Sequence, residues 1–138
     1  MTTSIDTNVL SALWDPSDTL NAVAQRQLDA AGGELLICGA VFGELLAEPG
    51  RSERFVVQFL TETRITVDRF MDEAIWTEAG RAYQKYAAAR RKQRQPPPRR
   101  LLTDFIIGAH ALVTKSRLLT LDQKIYRTSF PSLQVIGV

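Results

Sequence analysis

A chain of 138 residues with 45% apolar side chains can close one hydrophobic core but is short for two, so a single domain over residues 1–138 is expected. No apolar run reaches the roughly 18 residues that a membrane-spanning helix needs, and no basic segment followed by an apolar stretch opens the chain as in a secretory signal. The net charge of +2 conceals a segregation: residues 85–100 hold seven basic side chains (Lys85, Arg90, Arg91, Lys92, Arg94, Arg99 and Arg100) and no acid, which leaves ten basic and fifteen acidic residues elsewhere. A cationic patch on an acidic body suits a polyanion such as nucleic acid, or an acidic partner protein.

The elements read in chain order as alternating strands and helices. Ser4-Ile5 ends a first strand, with Asp6-Thr7-Asn8 at its tip, and Val9–Trp14 makes a helical turn that Asp15-Pro16 breaks. Leu20, Val23, Ala24, Leu28 and Ala31 recur at helical spacing, so residues 18–31 are expected as a helix closed by Gly32-Gly33. Glu34–Cys38 reads as a strand. Its Cys38, the one cysteine, is expected as a buried thiol, and without a second cysteine for a disulfide a reducing cytoplasm is the expected location.

Ala40–Ala47 is expected as a helix carrying Glu44, and 51–60 as another with Phe55, Val56, Phe59 and Leu60 turned inward. Arg64–Val67 reads as a strand, Phe70–Ala89 as a long helix, and Gln95–Arg99 as an extended proline-rich spacer. Thr103 can cap a helix running to about Thr114 or Lys115; Leu118–Leu121 is a strand, Asp122 opens a short turn or helix, and 133–138 is a last strand. The alternation predicts an α/β fold.

Four acids stand where short apolar segments end: Asp6, Glu44, Asp104 and Asp122. Open parallel sheets gather ligands at the C-terminal ends of their strands. Carboxylates crowded there repel one another unless a cation neutralises them, and hard cations such as Mg2+ and Mn2+ prefer oxygen ligands. That combination points to phosphate chemistry. Thr7, Asn8 and Thr120 are placed to orient such ligands. The competing reading makes the four acids ordinary helix caps. A zinc site is not expected, because His110, the sole histidine, falls in mid-helix far along the chain from Cys38 and reads as a packed or surface residue. No glycine-rich phosphate loop is present.

These segments resemble the PIN-domain family, and within it the VapC-like toxins of toxin–antitoxin pairs. The residues that carry the resemblance are Ile5-Asp6-Thr7-Asn8-Val9-Leu10, Ala40-Val41-Phe42-Gly43-Glu44-Leu45-Leu46, Leu102-Thr103-Asp104-Phe105-Ile106-Ile107-Gly108-Ala109-His110-Ala111 and Leu119-Thr120-Leu121-Asp122, followed by Phe130-Pro131 and a closing apolar strand. The resemblance covers the whole chain. It implies a three-layer α/β/α sandwich around a central parallel sheet, and a metal-dependent endoribonuclease that leaves 5′-phosphate and 3′-hydroxyl ends. It further implies one or two Mg2+ or Mn2+ ions on Asp6, Glu44, Asp104 and Asp122, the last position being the most variable in the family. It also implies an RNA substrate, a small VapB-like antitoxin that covers the cleft, and a homodimer.

The basic, proline-rich segment Arg90–Arg100 departs from the family's plainer connection and is expected to contact either RNA or an acidic antitoxin segment. Its lack of aromatic residues argues against a base-stacking platform, and Tyr83 and Tyr86 just upstream read as packing residues. Antitoxin anchors are expected near Val9, Leu13 and Trp14, Trp14 serving equally well as core. Two other readings compete: a catalytically silent fold that binds RNA or protein, and an aspartate-nucleophile phosphatase. The phosphatase is disfavoured because Asn8 stands where a second acid would be needed.

Overall fold

The computed structural model describes residues 1–96 and 102–137. The end of the expected spacer (97–99), Arg100, Leu101 and Val138 lie outside the described residues. Five strands, β1 (Thr2–Ile5), β2 (Glu34–Cys38), β3 (Thr66–Asp68), β4 (Arg117–Leu119) and β5 (Val135–Ile136), form one sheet in the order β3-β2-β1-β4-β5. Every pairing is parallel, and Ser4 of β1 lies opposite Leu36 on one side and Leu118 on the other. Ile5, Ile37, Leu118 and Leu119 expose nothing, which is what strands covered on both faces require.

Helices α1 (Thr7–Leu13), α2 (Asn21–Ala30), α3 (Gly39–Ala47) and α4 (Glu53–Thr63) connect β1 to β2 and β2 to β3, while α5 (Glu73–Lys92), α6 (Leu102–Val113) and α7 (Gln123–Ser129) belong to the return through β4 to β5. Strand order reverses direction between these halves. Right-handed crossovers therefore put the first four helices on one face and the last three on the other. The packing agrees: α1 meets α2 and α3, whereas α5 meets α6 and α7. The result is the α/β/α sandwich expected from the sequence. β1 lies at its centre and the direction changes beside it, so the crevice at the carboxyl ends of β1 and β4 is the natural place for a ligand.

Element boundaries differ from the sequence reading where a local hydrogen bond competes with the helix or strand. The long helix starts at Glu73 and not at Phe70, because the Asp68 carboxylate accepts the Phe70 N–H at 3.0 Å and the Asp72 carboxylate caps the helix by accepting the Ile75 N–H at 3.1 Å. It then runs on to Lys92, with Arg90, Arg91 and Lys92 complementing its C-terminal dipole. Ser52 caps α4 through the Phe55 N–H, which shifts that helix to start at Glu53. Phe55, expected to face inward, is 42% exposed: Val56 and Leu60 occupy the core-facing stripe and leave Phe55 at its edge. The last strand is Val135–Ile136 alone, since the Leu133 N–H is held by the Phe130 carbonyl in a turn. Cys38 is buried, as expected.

His110 is fully buried on α6, and its Nε2 lies 3.0 Å from Asp68 Oδ2 at the end of β3. A carboxylate accepts only, so Nε2 carries the proton of this bond. The sole histidine thus ties α6 to the edge strand, the packed role among those expected for it.

Gly108 lets α6 approach the turn before β5: a Cβ there would clash with the Phe130 ring, itself 3% exposed and packed on Phe105. Gly108→Val should therefore destabilise the fold by about 3 kcal/mol despite valine's better helix propensity. Urea denaturation, read as a lower midpoint at unchanged slope, checks this.

Candidate active site

The crevice at the switch of strand direction is a cleft of about 480 Å³ whose lining includes all four acids singled out in the sequence. Asp6 enters from the end of β1, Glu44 from the middle of α3, Asp104 from the first turn of α6, and Asp122 from the residue preceding α7. Val41 and Leu45 bury the sheet side of α3, and Glu44 sits beside them on the rim, half-buried.

The helix-cap alternative fails for two of the four. Asp6 and Asp122 occupy the cap positions of α1 and α7, yet neither side chain makes the capping bond. Asp72 in the same molecule does make one. The Asp6 carboxylate, 5% exposed, instead accepts the hydroxyl of Thr120 at 2.8 Å. Thr120 is itself fully buried, and its oxygen accepts the Asp122 N–H at 3.0 Å. Asn8 accepts the Leu121 N–H at 3.1 Å and so stitches the β1–α1 corner to the end of β4. Thr7 donates to Glu44 at 2.6 Å. The three residues expected to orient the acids each hydrogen-bond an acid or the backbone beside one.

Burial raises the Asp6 pKa from 3.8 to about 6, and the nearby Asp104 charge adds to this, against the Thr120 bond that favours the ionised form. Tyr126, 1% exposed, stands in the same cleft with its hydroxyl next to Asp6 but in no hydrogen bond of ordinary geometry. Burial and then the Asp6 charge push its ionisation far upward, so it stays a neutral phenol. The sequence reading missed Tyr126, and its spacing held the clue: it lies four residues after Asp122, one turn along the same helix face. Glu48 was missed likewise, one turn beyond Glu44. Ser11 donates to it and Arg51 lies 3.4 Å away. With Asp18 these residues extend the acidic lining outward.

Val9, near which antitoxin anchors were expected, is fully buried and lies with Leu10 and Ala12 on the core side of α1, so it offers no surface to a partner. Trp14 is half-buried and packs edge-on against both Phe55 (5.2 Å) and Phe59 (5.0 Å), with the Arg51 guanidinium over its ring. Tyr83 and Tyr86 pack on Phe105, as expected.

Among the described residues, no three acidic, histidine or cysteine groups stand close enough together to form a finished metal cage. The donors are nevertheless of the right kind for a hard cation. Mg2+ usually takes one or two protein carboxylates and keeps several waters, and a carboxylate as buried as Asp6 carries a cost that a cation relieves.

The sign of the Asp6 shift predicts the pH dependence of stability. A raised folded-state pKa means that the folded protein holds the proton more tightly, so metal-free stability should fall as pH rises from 3.8 to about 6. The loss attributable to this group is on the order of 3 kcal/mol. Asp6→Asn should remove that slope and stabilise the metal-free protein at neutral pH. Denaturation midpoints across this range, in the presence of a chelator, check it.

Comparison with known proteins agrees with this architecture. The structure is similar to VapBC-1 from nontypeable Haemophilus influenzae, with a TM-score of 0.66 and 22% identity over 99% of this chain and 98% of that one. A toxin–antitoxin complex from Klebsiella pneumoniae gives a TM-score of 0.68 at 18% identity over 97% and 95% of the two chains. VapC20 from Mycobacterium tuberculosis, a sarcin-ricin loop cleaving toxin, gives 0.63 at 16% identity over 96% and 98%. No curated protein matches the chain significantly. Residues 4–131 match the model of the PIN domain, a span that runs from β1 past Asp122 to the turn before β5, and the chain belongs to that family.

Proposed function

We propose that this protein is a metal-dependent endoribonuclease that acts as the toxin of a toxin–antitoxin pair. The observation that carries the reading is the Asp6–Thr120–Asp122 network: two carboxylate residues at the ends of adjacent parallel strands, joined through one buried hydroxyl and turned away from capping. Asp6, Glu44, Asp104 and Asp122 would hold Mg2+ or Mn2+. When bound, such an ion stabilises charge developing on a phosphoryl group and supports attack by water.

The chain's own residues prepare that event. Thr120 fixes the Asp6 carboxylate, and Thr7 fixes Glu44 at the rim, where it can position a water. The neutral Tyr126 phenol offers a hydrogen-bond donor beside Asp6 without adding negative charge. The acidic lining is hostile to a bare polyanion, so substrate affinity must come from cations outside the cleft or from the bound metal.

Storage of such an activity calls for an inhibitor, and relatives of this fold have been solved as toxin–antitoxin complexes. We assign the antitoxin to the surface around Leu13, Trp14 and the exposed Phe55, which adjoins the outer cleft at Arg51 and Glu48. A homodimer would cover Phe70 and Trp76, 69% and 50% exposed at the start of α5 and just before it.

The test is cleavage of an end-labelled RNA panel by protein freed of antitoxin, with Mg2+, with Mn2+ and with a chelator. Metal-dependent cutting is expected, reduced roughly 100-fold or more in Asp6→Asn. Thr120→Val, which removes only the orienting hydroxyl, should lose about 10- to 100-fold. Cutting that survives the chelator, or an Asp6→Asn variant as active as the parent, would remove the reading.

A further inference from the structure

A second groove, of about 520 Å³, shares Asp122 as a wall with the acidic cleft. Tyr86, Ala89 and Arg90 of α5 form one side, and Lys124, Ile125 and Thr128 of α7 the other. Its volume lies within the ~300–1,000 Å³ of pockets that hold small ligands. Its character is opposite to that of the catalytic cleft: among the described residues Asp122, on the shared wall, is its one acid, while Arg90 and Lys124 bring cations from two different elements.

Arg90 is held in place before any ligand arrives. Its Nε–H donates to the Pro96 carbonyl at 2.9 Å, and its guanidinium lies 5.7 Å from the centre of the Tyr86 ring. Tyr86 is in turn fixed against Phe105, one residue after Asp104. A long basic side chain normally loses rotamer freedom on binding, and an arginine already clamped loses less. With Nε occupied, its two terminal nitrogens keep donors for a phosphate. Ala89 and Ile125 supply an apolar wall against which a sugar or base face can lie.

We propose that this groove is the subsite for a nucleotide flanking the scissile bond of a single-stranded RNA, with Arg90 and Lys124 on its phosphate and Tyr86 as a positioning residue for Arg90. The inference rests on the nuclease reading and deepens it. The catalytic cleft repels the backbone that it must cut, and this groove, one wall away, supplies the missing attraction. A single strand is required because a base can lie against the Ala89–Ile125 wall only when it is unpaired. The structure thus narrows the choice left open by the sequence, in which the basic segment suited RNA or an acidic protein equally. The part of that segment on α5 lines a groove that shares Asp122 with the acidic cleft.

The experiment is fluorescence anisotropy with a labelled, mixed-sequence single-stranded RNA, titrated with full-length protein in Mg2+ on an Asp104→Asn background that suppresses cutting. Arg90→Gln/Lys124→Gln should weaken binding about 10-fold or more and lower the salt slope by about 2. Arg26→Gln/Arg54→Gln, the same charge change outside the groove, should have little effect. Tyr86→Leu should weaken binding by less and leave the salt slope nearly intact. Equal weakening by both double variants would overturn the subsite. So would unchanged RNA binding by the groove variant, including the case where it loses affinity only for an acidic partner peptide. Parallel cleavage kinetics on the Asp104 parent separate the two levels: cutting with an unaltered KM in the groove variant sinks the subsite alone, whereas neither binding nor cutting by any form sinks the nuclease reading and the subsite with it.

Discussion

The structure turns on the burial of the Asp6 carboxylate at the end of the central strand. That strand has neighbours on both sides, and its final apolar residue, Ile5, is sealed in the core. The next side chain is therefore presented where β1 and β4 end together, and the Asp6 N–H completes the sheet by donating to the Leu119 carbonyl at 2.9 Å. An acid in that position is held by the fold whether or not its charge is satisfied. Thr120 satisfies part of it, and proximity to Asp104 aggravates the rest. The site is one in which local stability has been given up, as sites for charged ligands commonly require.

The remaining parts follow from this constraint. Asp122 reaches the cleft because β4 pairs with β1 in register, Leu119 opposite Ile5, so that both strands end at one level. Glu44 and Asp104 come from helices on opposite faces of the sheet, which is why they close the cleft from two sides. The two grooves on either side of Asp122 differ in charge: one is lined by several acids, and the other by Lys124 and the clamped Arg90.

Much of this was legible in the residues. The four acids could be singled out because each follows or interrupts a strongly apolar segment, and the sheet brought all four to one cleft. Thr7, Asn8 and Thr120 were legible as neighbours of those acids. Tyr126 and Glu48 were not, because a tyrosine or a second glutamate on a helix is ordinary until its depth and neighbours are known. Of the residues near which antitoxin anchors were expected, Val9 is closed to a partner, because it lies on the inward stripe of the seven-residue α1. The start of α5 was misplaced because an aspartate hydrogen-bonding two residues ahead does not announce itself in hydropathy. The groove beside Asp122 could not have been read at all, since Tyr86 and Arg90 come from α5 and Lys124 from α7, with α6 and β4 between them in the chain.

The most direct measurement of the central claim is calorimetric titration of the folded, metal-free protein with Mn2+ at several pH values between about 5 and about 7, in buffers of different ionisation enthalpy. If Asp6 is a cation ligand poised by its burial, binding will strengthen with pH through about 6, release a proton below that point, and vanish in a folded Asp6→Asn variant. Binding of equal strength in that variant, or no binding to the intact folded protein at any pH, would contradict the account.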